Sequence, residues 1–166
     1  MRDPESKVIS RERMVALRED VRASGQRLVF TNGAFDILHA GHVTYLDFAR
    51  RQGDALVVGL NSDASVRRYK GDLRPVNPEG ERARVLAGLE CVDYVVVFEE
   101  DEPAELIAAV LPDVLVKGAD WAHYVSGREV VEANGGKVVL ADLVKGKSTT
   151  GTIERILEVY GKEKKT

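Results

Sequence analysis

Two histidines, His39 and His42, stand three residues apart with Gly41 between them. On a helix that spacing turns both side chains the same way. The segment 28–53 carrying them opens apolar with Leu28, Val29 and Phe30. It turns through Thr31, Asn32 and Gly33, then resumes as a helical pattern with Val43, Leu46 and Ala49 on one face. A strand, a glycine turn and a helix in that order make a phosphate site, because free backbone N–H groups and the helix dipole both favour an anion there. Gly41 leaves room for a ligand to approach the backbone. A zinc reading is weaker: helical zinc sites place His at i and i+4 with a Glu, and this chain has no cysteine cluster.

A second group with phosphate chemistry is Lys147, Ser148, Thr149 and Thr150, where a last helical pattern begins. Ser148 reads as an N-cap, and hydroxyls beside free backbone donors suit phosphate oxygens. The stretch 70–77, KGDLRPVN, is basic and bears Gly and Pro; by itself it reads as a solvated connector. Asp36 is either a turn former or a carboxylate that orients a group or helps hold Mg²⁺. Nothing reads as an activated nucleophile. There is no G-x-S-x-G elbow, and Cys91 falls between a helix and a strand as a core residue does.

Four blocks carry a family resemblance: TNGAFDILHAGHVTYLDFAR, GLNSDASVRRYKGDLRPVNPEGERARVL, LPDVLVKGAD and KSTTGTIERI. H-x-G-H within the first resembles the hallmark of the cytidylyltransferase-like nucleotidyltransferases. The four in order, over about 25–157, resemble the heptose 1-phosphate adenylyltransferases of bacterial ADP-heptose and lipopolysaccharide synthesis. One departure is Ala34, where that family commonly has Cys; the side chain stays small.

The resemblance implies AMP transfer from ATP to a heptose 1-phosphate by direct in-line displacement, with pyrophosphate released. His39 and His42 would stabilise the transition state, joined as catalytic residues by Lys70, Ser148 and Thr149. Thr31, Asn32, Gly33, Ala34, Phe35, Asp36, Gly41, Lys117, Gly118, Asp120, Lys147 and Thr150 would meet the nucleotide. Asp63, Arg74 and Trp121 fall on the sugar phosphate side. Lys70 and Arg74 match the family's Lys-Gly and Arg-Pro positions, Arg82 its Glu-Arg pair, and Arg155 the basic residue of its Ser-Thr motif. Mg²⁺ would be held mainly by the triphosphate. A sugar kinase on a separate chain is expected in the pathway, as is a homodimer. A cytidylyltransferase acting on glycerol 3-phosphate or a related alcohol phosphate is the alternative, separable by testing ATP against CTP. A tRNA-synthetase-like core also echoes H-x-G-H and KGKST, but the chain is short and acidic for holding tRNA. A nucleotide-binding module without catalysis would bind nucleotide and release no pyrophosphate.

The scaffold is legible in outline. At 166 residues, 44% apolar and 31% charged, the chain is expected to be one globular domain. A net charge of −3 argues against nucleic acid held by bulk electrostatics. The single cysteine fits a reducing compartment, the polar N-terminus shows no signal peptide, and no apolar run reaches the roughly 18 residues of a membrane helix. A cytoplasmic enzyme is expected. A helix over 10–24 begins at an N-cap Ser10, with Met14, Leu17 and Val21 as a narrow stripe for a sheet edge or a partner subunit. Apolar runs at 55–60, 94–98, 113–117 and 138–141 join the first as strands buried on both faces, hence parallel. Helices are expected over 64–69, from an Asn77 cap with Val85, Leu86 and Leu89 inward, over 103–111, over 127–134, and from Ser148 with Ile153, Ile156, Leu157 and Tyr160 inward. The tail 161–166 is charged. The result is a doubly wound, five-stranded parallel α/β sheet, Rossmann-like, for which the resemblance implies strand order 3-2-1-4-5. A ligand then sits at the carboxyl ends of the strands, at the switch point.

Overall fold

Continuous apolar runs demand cover on both faces, and the computed structural model, which describes residues 3–142 and 144–161, supplies it except for the run 138–141, an edge strand in which only Ala141 is buried and Leu140 is exposed. Five parallel strands lie in the order β3-β2-β1-β4-β5: β1 Leu28–Gly33, β2 Ala55–Asn61, β3 Tyr94–Phe98, β4 Val114–Gly118 and β5 Lys137–Ala141. Between and around them run α1 Arg11–Ala23, α2 Ala40–Arg50, α3 Asp63–Lys70, α4 Glu79–Ala87, α5 Ala104–Val110, α6 Arg128–Ala133 and α7 Thr149–Tyr160. Among the described residues no helix is long and apolar enough to cross a membrane.

Alternation along the strands divides the core. Val29, Leu56, Val58, Leu60 and Val116 face α2 and α4, meeting Leu46, Ala49, Ala83 and Leu86. Leu28, Phe30, Val57, Phe98 and Leu115 face α1, α5 and α6, meeting Met14, Leu106, Ile107 and Val131. Every residue of β2 is buried, as a strand covered on both sides requires.

Helix α1 caps on Ser10, whose Oγ accepts from Arg13 N at 3.2 Å. It lies against α5 and the edge strand β3. Arg18, buried, donates Nε to the Leu111 carbonyl and Nη2 to Asp113 Oδ1 at 2.9 and 2.7 Å. Asp113 Oδ2 in turn accepts from Leu28 N. One ion pair thus ties α1 to the starts of β1 and β4.

Several sequence expectations give way. Strand β1 does not turn at Thr31 but runs through Gly33, because β2 pairs with it that far, Asn32 opposite Gly59 and Gly33 opposite Leu60. Asn77 does not cap α4; Pro78 holds that place without a side-chain bond, since Asn77 is engaged with Asp36. Val43 and Val85 are exposed, because Leu46 with Ala49 and Leu86 with Ala83 fill the helix faces against the sheet. On α7, Ile156, Leu157 and Tyr160 are 49%, 63% and 65% exposed, and no residue of that helix is buried; other helices already cover both faces. The tail, from residue 162 on, lies outside the described residues.

Candidate active site

Pairing between β1 and β4 is confined to Val29 with Val114 and Phe30 with Leu115. Beyond that rung the strands part, which opens a crevice at the carboxyl ends where the strand order reverses. A cavity of about 610 Å³ fills it. Its walls come from the loop after β1, the start of α2, the end of α3 with the loop beyond, the end of β4, and the approach to α7.

The loop after β1 is drawn tight. Phe35 takes a left-handed φ of 43°, uncommon for a side chain of its size. Its ring meets His42 edge-on, with centroids 5.4 Å apart. His39 occupies the N-cap of α2, and its ring stacks on His42 at 3.8 Å with 19° between planes. A Cβ on Gly41 would come within 3.1 Å of both the His39 ring and Lys147 Cβ, so the missing side chain allows that approach. The stack is held neutral. Burial first, then the His39 and Lys70 charges, push His42 down to about 4. Burial, then Lys147, lowers His39 as well. His42 Nδ1 faces the His39 backbone N–H at 3.4 Å, which leaves the proton of the neutral ring on Nε2 as a donor.

Across the cavity stands the N-terminus of α7. Ser148 Oγ accepts from Gly151 N at 3.0 Å, and Thr149 Oγ1 donates to the Ile37 carbonyl at 3.4 Å. Two helix N-termini therefore border one space, with the orphan N–H groups and dipole of each available to an anion. Lys70, Arg74, Lys117, Lys145 and Lys147 line it, against the carboxylates Asp36 and Asp120. Burial weighs on the cations: burial first and then the Arg74 charge lower Lys70, and burial pushes Lys117 down to about 8 against the pull of Asp120 and Glu102. An otherwise acidic chain here concentrates positive charge suited to a polyanion.

Asp36 does not stand open to a metal ion. Its Oδ2 accepts from Arg74 Nε at 2.6 Å and from Val76 N at 3.0 Å, and its Oδ1 from Val76 N and Asn77 N at 2.8 and 3.0 Å. Burial pushes its carboxyl up, but the bonds from the Asn77 and Val76 backbone and then from Arg74 together outweigh it and hold the carboxyl below the usual carboxylate range. Asp36 thus latches the loop beyond α3 onto the loop beyond β1. Among the described residues no three His, Cys, Asp or Glu side chains gather as a ligand cage made of protein groups alone would require.

Of the residues singled out in the sequence, the structure gathers most around this cavity, Trp121 at its edge, half exposed. Thr31 and Asp63 are not among the lining. Thr31 is fully buried and bonds Tyr45 Oη at 2.6 Å. Asp63 Oδ1 accepts from Arg82 at 2.8 Å. Arg82 itself is enclosed, donating also to the carbonyls of Ala34, Asn61 and Asn77 and so fastening the end of β2 to the loops after β1 and after α3. Lining residues missed in the sequence are Tyr45, Val144, Lys145 and Gly146. Tyr45 was within reach of pattern reading, since it follows His42 by three on the same helix.

Residues 30–155 match the cytidylyltransferase-like family. The chain is 58% identical to the bifunctional protein HldE of Pelobacter propionicus, over 95% of this chain and 33% of that protein. Against HldE of Geobacter sulfurreducens identity is 59% over 86% of this chain and 29% of the relative. The chain thus spans about a third of the length of the curated relatives it matches. Among solved structures, the lipopolysaccharide core biosynthesis protein from Thermoplasma volcanium is similar at a TM-score of 0.60 and 29% identity, covering 74% of this chain and 100% of that one. Pantoate-beta-alanine ligase from Francisella tularensis reaches a TM-score of 0.60 at 14% identity, over 91% of this chain and 78% of that one; at that identity the likeness is one of fold.

Proposed function

Since the chain belongs to the cytidylyltransferase-like family of nucleotidyltransferases, we propose that it transfers AMP from ATP to a heptose 1-phosphate, yielding an ADP-heptose and pyrophosphate. The observation that carries the transfer reading is the neutral, stacked pair His39 and His42 at one helix N-terminus, facing a second N-terminus across a cation-lined cavity. The heptose and adenine choices rest on the four sequence blocks and on the similarity to HldE proteins.

In this reading a phosphate oxygen of the sugar attacks the α-phosphorus of ATP. The new P–O bond forms as the bond to the bridging oxygen breaks, and pyrophosphate leaves with that electron pair. The attacking phosphate is already an anion, so no base and no protein nucleophile is required. Negative charge builds on the α-phosphoryl oxygens, where N–H donors of His39 and His42 tighten their hydrogen bonds. Lys70 and Lys147 balance the triphosphate, and the start of α7 receives its far end. Mg²⁺ would be held mainly by the triphosphate itself, and Asp36 is already engaged with Arg74 and the Val76 N–H.

The test is pyrophosphate release with ATP, CTP, GTP and UTP, each against D-glycero-β-D-manno-heptose 1-phosphate and glycerol 3-phosphate, with the sugar nucleotide identified by mass. ATP with the heptose phosphate should turn over fastest. Turnover confined to CTP with glycerol 3-phosphate would replace the reading with the cytidylyl one.

A further inference from the structure

Beyond Phe30 and Leu115 the backbone ladder between β1 and β4 stops, yet side chains continue it for two rungs. Tyr45 Oη donates to the Val116 carbonyl at 3.1 Å. Its one proton is thereby used, so it accepts from Thr31 Oγ1 at 2.6 Å. One residue further along both strands, Lys117 Nζ donates to Asn32 Oδ1 at 2.7 Å. Together these rungs floor the crevice where the strands diverge.

The second rung also fixes a direction. An ammonium carries protons and no lone pair, so only the amide oxygen of Asn32 can face it. The oxygen being spent on Lys117, the NH₂ group is the free polar end of a side chain that lines the cavity. Among the described residues the Asn32 side chain makes no other hydrogen bond. Lys117 is poorly placed to be a mobile phosphate hand. It is 9% exposed, and its Nζ lies 5.5 Å from the centre of the Trp121 ring.

We propose that Asn32 contacts substrate through its Nδ2 protons, offered to an acceptor oxygen of a bound phosphate, and that Lys117 is the positioning residue that holds the amide in that sense. The inference rests on the nucleotidyl-transfer reading for the identity of the anion, which is either the triphosphate of ATP or the phosphate of the sugar.

Asn32→Asp separates contact from scaffolding. Aspartate still accepts from Lys117, so the rung survives, but the donor end becomes a second anionic oxygen. Binding of ATP with Mg²⁺ and of heptose 1-phosphate is measured separately by calorimetry on the intact chain, with a thermal melt for each variant. At least one ligand should bind roughly tenfold more weakly or worse, and the one that does names the phosphate Asn32 meets. Unchanged affinity for both overturns the contact. A second arm tests positioning. Lys117→Met should weaken the same ligand in the wild-type background, yet change its affinity by no more than about threefold when Asn32 is already Ala. The full Lys117→Met loss persisting in the Asn32→Ala background would make Lys117 a direct contact and overturn the positioning role. Pyrophosphate release by the wild-type chain is scored apart. A protein that binds ATP and releases none sinks the transfer reading while the binding comparisons still decide this one.

Discussion

Each imidazole at positions 39 and 42 brings neutral N–H chemistry to the site, because burial and neighbouring positive charge hold both rings below the ordinary histidine range. A neutral ring costs less to desolvate than an imidazolium, and its hydrogen bond grows stronger only as charge develops on the phosphoryl oxygens. His39→Ala and His42→Ala are therefore expected to lower kcat about 100-fold each, roughly 3 kcal/mol, with the Kd for ATP changed little. Steady-state kinetics beside calorimetric ATP binding makes the check. A loss confined to KM would mean that the rings bind ground state and transition state alike, and wild-type kcat in either variant would remove them from the chemistry.

The element that behaves as a unit is the pair of loops after β1 and after α3. Asp36, fully buried, takes one guanidinium and two backbone N–H groups from the other loop, and Arg74 stays mostly covered as a result. Asp36→Ala should release the segment 71–78 and cost roughly 3 kcal/mol of stability, since it strands a largely buried cation. Trypsin cleavage after Lys70 should then accelerate in the variant, the Arg74–Pro75 bond being resistant to the protease. In the wild type, ATP with Mg²⁺ should slow the same cleavage. Digestion rates that do not differ between variant and wild type would show that the latch is not what holds the loop.

For the molecule as a whole, the cationic cavity couples acid stability to the site. His42 sits at about 4 when folded, from an ordinary value of 6.5. Between those limits the unfolded chain binds the proton and the folded chain does not, so stability falls as pH drops from about 6.5 towards 4, by at most on the order of 3 kcal/mol. The lowered Asp36 adds its own loss only below that window. Replacing His42 by Gln should flatten the fall in melting temperature across pH 6.5 to 4. Parallel curves for the two proteins would refute the assignment of that slope to His42.

What the sequence determined by itself was everything set within a few residues. Unbroken apolar runs such as 55–60 can be satisfied only between two layers, so the parallel sheet followed from them. Ser10 and Ser148 cap because a hydroxyl one turn ahead of a helix reaches its free N–H groups whatever surrounds it. The spacing of His39 and His42 places them on one helix turn for the same reason. Tertiary structure decided whatever depends on residues far apart in the chain. Asp36 became a latch because residues 74 to 77 arrive beside it. Arg82 was enclosed by carbonyls from the end of β2 and from two loops, and the apolar residues of α7 stayed exposed because the sheet faces were already covered. The charge state of the histidines belongs here too. Burial and the field of Lys70 and Lys147 set it, and both arise only when distant segments close around one crevice.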